Sequence, residues 1–176
     1  MAAHGGGRRC DGDVRVVRRV RRPAAFADTT SSTAVATAPS VVTNGVIPAG
    51  ALSVVNFHPT WGDKGTNKAS MLRYIDEAHA AGVRMIVFPE MALTGDVSSS
   101  DPESAAYRMA VSQAETISSP ITCELADKAA ATGMWVIFGT SERIPGDAEH
   151  AYNSAFAASP DGKVVSYQKI APVEGS

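Results

Sequence analysis

The chain has 176 residues and a mass of 18.3 kDa, with 44% hydrophobic, 19% charged and 6% aromatic residues. That is ordinary composition for one globular domain, and it excludes collagen-like, wholly disordered and disulfide-scaffold proteins. The net charge of −2 hides an asymmetry: residues 1–50 carry seven arginines against three aspartates, +4, which leaves −6 on the remaining 126 residues.

The basic leader comes first. Arg15, Arg18, Arg19, Arg21 and Arg22 are clustered, but no aromatic residues interleave with them and no helical periodicity accompanies them. Specific nucleic-acid binding is therefore not expected. Arginine pairs followed by Ala25-Phe26-Ala27 have the outline of an export signal, yet the apolar middle region such a signal needs is missing. Asp28 to Gly50 is a Thr/Ser/Ala/Pro/Gly mixture, so residues 1–50 read as a disordered leader. No run approaches the roughly 18 apolar residues of a membrane span, and the two cysteines, Cys10 and Cys123, lie in unlike segments without metal-ligand spacing. A disulfide framework and a zinc site are both disfavoured, and a reducing, cytoplasmic setting is expected, with no membrane partner.

The texture changes near residue 50. Leu52 to Phe57 is a strand-length apolar run followed by the turn-rich Pro59-Thr60-Trp61-Gly62-Asp63-Lys64-Gly65. Asn67 is a fair N-cap for a helix whose buried face follows Met71, Leu72, Ile75, Ala78 and Val83 and which ends at Gly82. Residues 84–88 are too short and too β-branched for a helix and are stopped by Pro89, so they form a second strand. A weak helical pattern covers 104–115, and a firmer helix starts where Ser119 caps and Pro120 takes the first position, ending at Gly133. Residues 134–139 are a third strand. Residues 152–158 and 163–170 alternate across Ser159-Pro160-Asp161-Gly162, a hairpin signature. The first three strands are apolar on both faces and need cover above and below, while two good helices can cover only one face.

Candidate chemistry sits at strand ends. Glu90 follows the second strand behind Pro89, where partial burial would raise its proton affinity toward that of a working general base; taken alone, such a glutamate is more often a loop residue pairing with a nearby backbone amide. Lys169 closes the last strand and is either a solvated edge lysine or, if turned inward, an ammonium that stabilises developing negative charge. Cys123 falls in the first turns of a helix, where a small buried cysteine is usually packing rather than a nucleophile. His58 fits a structural loop histidine or a pocket wall.

Together, several segments resemble the amino-terminal half of the nitrilase and amidase carbon-nitrogen hydrolase superfamily. They are Val55-Asn56-Phe57 with Asn67, Ile86-Val87-Phe88-Pro89-Glu90-Met91, Leu93-Thr94-Gly95, Phe138-Gly139-Thr140-Ser141-Glu142-Arg143, Tyr152-Asn153-Ser154-Ala155, Ser159-Pro160-Asp161-Gly162-Lys163 and Tyr167-Gln168-Lys169-Ile170. The resemblance implies an α/β fold, the nitrilase-like α-β-β-α sandwich, of which residues 51–176 would make about half. It also implies a Glu-Lys-Cys triad in which Glu90 and Lys169 match the glutamate and lysine; Gln168 replaces the usual arginine beside that lysine. A cysteine thiolate would attack a nitrile, amide or N-carbamoyl substrate, with no metal or organic cofactor. Family members carry that cysteine some tens of residues beyond the lysine, and this sequence ends at Ser176. The expectation is a partial hydrolase, inactive alone, whose full-length form is a homo-oligomer. The alternative is a non-catalytic binding or regulatory half.

Overall fold

The structure is a computed structural model, and it describes residues 51–96 and 101–170. The basic leader expected over residues 1–50 lies outside the described residues. The elements run β1 (Leu52–Val54), α1 (Lys64–Ala80), β2 (Met85–Val87), α2 (Ala105–Ser112), α3 (Pro120–Thr132), β3 (Trp135–Arg143), β4 (Ala151–Ala158) and β5 (Val164–Gln168). They build one five-stranded sheet in the order β1-β2-β3-β4-β5, with β1, β2 and β3 parallel and β4 and β5 added antiparallel.

Parallel neighbours need helical crossovers. Both crossovers here step across the sheet in the same direction, so a common handedness lays α1 and α3 on the same face. Ile86, Val136, Ala158 and Val164 form one cross-strand row on that face. With Phe138 and Phe156 they are buried against Met71 and Ile75 of α1 and Leu125 and Ala129 of α3. Salt bridges Lys68–Glu124 and Lys128–Asp76 tie the two helices together along their outer edges.

The opposite face carries Leu52, Val54, Trp135, Val165 and Tyr167, all exposed, Val54 at 73%. No described element covers it. The two-faced apolar strands and the shortage of helices in the sequence anticipated this imbalance.

Several elements are shorter than the sequence reading, among them β1, which stops at Val54 rather than at Phe57; two boundaries differ for a reason the structure shows. Helix α1 begins a turn before Asn67, because Asp63 is the cap: its carboxylate accepts the Thr66 N–H at 3.0 Å and the Thr66 hydroxyl at 2.7 Å. Asn67 instead lies buried inside the helix. Strand β3 runs on to Arg143, since its antiparallel pairing with β4 continues to Arg143↔Ala151, a long-range effect that local apolarity does not signal. The Ser119-Pro120 start, the left-handed Gly133 at the end of α3 (φ 64°) and the Gly162 turn (φ 79°) fall where the sequence places them, although the Ser119 side chain makes no cap bond to a backbone N–H and pairs with the Thr122 hydroxyl instead.

Candidate active site

The site grows from the way β2 leaves the sheet. Phe88 N–H still donates to Ile137 O at 2.8 Å, but Pro89 has no N–H to continue the ladder, and the chain turns up onto the uncovered face. The turn is held against β3 by Gly139 N–H donating to Pro89 O at 3.3 Å and Leu93 N–H donating to Gly139 O at 3.1 Å. Residue 139 must be glycine for this approach: a Cβ there would stand 2.5 Å from Met91 N and 2.7 Å from Glu90 Cα. Met91 itself adopts a left-handed φ of 54°, a strained conformation for a side-chain-bearing residue immediately after Glu90.

Asn67 anchors the far side of the same loop. Its Nδ2 donates to Leu93 O at 2.9 Å and Thr60 O at 2.7 Å, while Thr60 N–H donates to Oδ1 at 2.6 Å. The buried amide therefore joins α1, the loop after β1 and the loop bearing Glu90.

On the other side of the site, Lys169 N–H donates to Asn153 O at 2.8 Å, which continues the β4–β5 pairing by one step and sets the two side chains next to each other. Lys169 Nζ lies 3.0 Å from Glu90 Oε1, and Asn153 Nδ2 donates to the same oxygen at 2.6 Å. The carboxylate is 60% exposed and the lysine 37%. The structure thus brings Glu90 and Lys169 together on one face across 79 positions of sequence.

The electrostatics reverse one expectation. The hydrogen bond from Lys169, then that from Asn153, holds the Glu90 carboxyl below its ordinary range, and these outweigh the opposing effect of burial. The sequence expectation was a raised proton affinity; too little of Glu90 is buried for desolvation to win. Glu90 is accordingly an anion at neutral pH.

The two side chains lie at one end of a cleft of about 340 Å³ on the uncovered face, floored by Val87, Ile137, Ala155 and Tyr167. Cys123 is buried in α3 and packs on the opposite, helical side of the sheet, so it cannot attack a group held by Glu90. It is disulfide-bonded, contrary to the expectation from cysteine spacing; the other cysteine of the sequence, Cys10, lies outside the described residues. His58 is exposed and does not line the cleft. Among the described residues no cluster of His, Cys, Asp and Glu is arranged to hold a metal ion, and no helix is long and apolar enough to cross a membrane.

Sequence reasoning assigned no role to Asn153 or Glu142. The signal for Asn153 was a lone amide on the apolar-facing register of β4. Glu142 works from the helical face, where its carboxylate accepts Ser154 Oγ–H at 2.6 Å and Ser166 Oγ–H at 3.0 Å, linking β3, β4 and β5 beneath the site.

Residues 51–175 match the family model for carbon-nitrogen hydrolase. The chain belongs to that family. Solved structures similar in fold include a mutant of the amidase from Nesterenkonia sp. AN1 in complex with butyramide, 20% identical with a TM-score of 0.56 over 73% of this chain and 47% of that one. A CN-hydrolase superfamily protein from Xanthomonas campestris with an arsenic adduct in its active site is 20% identical, with a TM-score of 0.54 over 67% of this chain and 39% of that one. An N-terminal amidase with a Gln-Gly peptide is 21% identical, with a TM-score of 0.53 over 67% of this chain and 27% of that one. This carbon-nitrogen hydrolase chain therefore spans half or less of the length of these structures. No match is found among curated proteins.

Proposed function

We propose that this chain supplies the general base, Glu90, and the oxyanion-stabilising cation, Lys169, of a hydrolase for small aliphatic amides, acting with a cysteine outside this sequence. One observation carries the reading: Glu90 and Lys169, 79 positions apart within the family match, meet at 3.0 Å in an open cleft. The substrate class is favoured by the butyramide-bound neighbour. The nucleophile is favoured by another variant of the same amidase, which carries the acetamide moiety of fluoroacetamide on its active-site cysteine. Nitrile and N-carbamoyl compounds are the competing substrates.

In this scheme ionised Glu90 takes the thiol proton, and the thiolate attacks the amide carbon. Lysine has three N–H donors and Glu90 occupies one, so the others are available to the oxygen as it becomes negative. Glu90 then returns its proton to the nitrogen and ammonia leaves. Water, deprotonated by the same carboxylate, cleaves the thioester to release the acid and regenerate the thiolate.

The test has two parts. The coding sequence beyond Ser176 should contain an in-frame cysteine within about 30 to 45 codons, and the product that includes it should release ammonia from butyramide. In that product Glu90→Gln and Lys169→Met should each lower kcat by about 10²- to 10⁴-fold. Full activity in either variant would remove that residue from the mechanism. A second reading, a non-catalytic half that docks through its exposed apolar face, is favoured by Val54, Trp135 and Tyr167. It gains if the cysteine-bearing product folds, binds butyramide and turns nothing over.

A further inference from the structure

The two oxygens of Glu90 are not equivalent. Lys169 Nζ and Asn153 Nδ2 both donate to Oε1, at 3.0 and 2.6 Å, whereas no described residue donates to Oε2. A carboxylate free to rotate would share two donors between its oxygens. Here the donors come from adjacent positions, one on β4 and one a residue beyond β5, whose spacing is fixed by the Lys169 N–H to Asn153 O bond at 2.8 Å. The position of Asn153 is fixed again from below, because its neighbour Ser154 points to the other face and is bonded to Glu142, which also holds Ser166 on β5. The backbone on the far side is equally constrained, by the contact between Gly139 and the Pro89–Met91 turn.

We propose that Asn153 is a positioning residue for Glu90: with Lys169 it pins Oε1, and so assigns proton uptake and return to Oε2, the oxygen to which no described residue donates. The inference rests on Glu90 being the base of the hydrolase proposed above. An amide suits this task where a second cation would not. It donates without titrating, it adds no charge that would draw on the developing oxyanion, and it keeps the carboxylate from swinging when Lys169 turns toward substrate. The lowered proton affinity of Glu90 is consistent with two donors on one oxygen.

The test is a titration of the 176-residue chain labelled with ¹³C at glutamate and ¹⁵N at asparagine side chains, and it needs no turnover. Asn153→Leu removes the donor, and Asn153→Asp keeps the shape while replacing the donor with a carboxylate, which guards against loss of fold in the first variant. In both, the Glu90 carboxyl should titrate at higher pH than in the parent chain, with the larger shift in Asn153→Asp. An unchanged Glu90 titration in a variant with a native-like amide spectrum would overturn the positioning role, since a merely structural asparagine would alter stability alone.

The choice of oxygen is read in the parent chain. If the proton lands on Oε2, the Asn153 Nδ2 proton bonded to Oε1 keeps its downfield shift as Glu90 protonates. Collapse of that signal to the position of a free amide would place the proton on Oε1 and overturn the assignment. None of these readouts depends on the amidase reading, which stands or falls on ammonia release and on Glu90→Gln.

Discussion

The two faces of the sheet are built from the same strands and end in different states. On one, Phe138, Phe156, Val136 and Ile86 are sealed under α1 and α3; on the other, Val54, Trp135, Val165 and Tyr167 are exposed, and Tyr167 lines the cleft that holds Glu90 and Lys169. Stability is concentrated on the first face, and the proposed chemistry would lie on the second. The cleft belongs to the same uncovered surface as the apolar side chains, so whatever layer covers the sheet also roofs the cleft. A Glu–Lys pair left this exposed sits in high dielectric; in the proposed mechanism, covering would strengthen the attraction between Lys169 and a developing oxyanion.

The widest separation between the faces should appear in stability. Phe156→Ala opens a cavity under the helices and should lower unfolding free energy by about 3–5 kcal/mol. Val54→Thr on the uncovered face should change it by no more than about 0.5 kcal/mol. Urea titrations of the two variants make the comparison. Similar losses in both would show that the second face is covered in solution, by another copy of the chain or another segment, and would erase the distinction drawn here.

A smaller effect is expected where the faces communicate. Gly139→Ala forces a methyl group into the backbone of Glu90 and Met91, which cannot yield as a flexible side chain would. The expected loss is about 1–3 kcal/mol, accompanied by a displaced Glu90 and a changed titration of its carboxyl. A variant with unaltered melting temperature and unaltered Glu90 titration would mean that the loop does not lie on β3 as described.

How much of this was legible in the sequence depends on range. The Ser119-Pro120 start, the Gly133 stop and the Asp161-Gly162 turn are set by a few neighbouring atoms and were readable directly. Asn67 was misread as a cap because its real partners, Thr60 O and Leu93 O, include one 26 positions away, while Asp63 satisfied the helix end. The extension of β3 depended on β4. The uncovered face was legible from patterning alone, since strands apolar on both sides outnumber the helices available to cover them.

For the site, Glu90 and Lys169 stood out at strand ends, but no local pattern brings together residues 79 apart; only the family resemblance coupled them. The direction of the Glu90 shift was missed for the same reason. Burial can be guessed from a neighbouring proline and strand, whereas two donors arriving from β4 and β5 depend on a register that the Glu90 segment does not encode.

The smallest expected effect is the dependence of stability on pH through this pair. The proton affinity of Glu90 is lowered in the folded state, so its contribution is present above the pKa of the unfolded chain and is lost as pH falls through the folded value. Asp63, Asp147 and Asp161 are shifted the same way by their own hydrogen bonds, so the acid limb of the whole protein does not isolate Glu90. The difference between the parent chain and Lys169→Met does, because the substitution removes the first and largest cause of the Glu90 shift and leaves those aspartates untouched. With both side chains more than a third exposed, solvent screening should hold that difference below about 1 kcal/mol at neutral pH, shrinking to zero in acid. A difference several times larger, read from urea midpoints at matched pH, would mean that the pair is buried in solution and the uncovered face is not open.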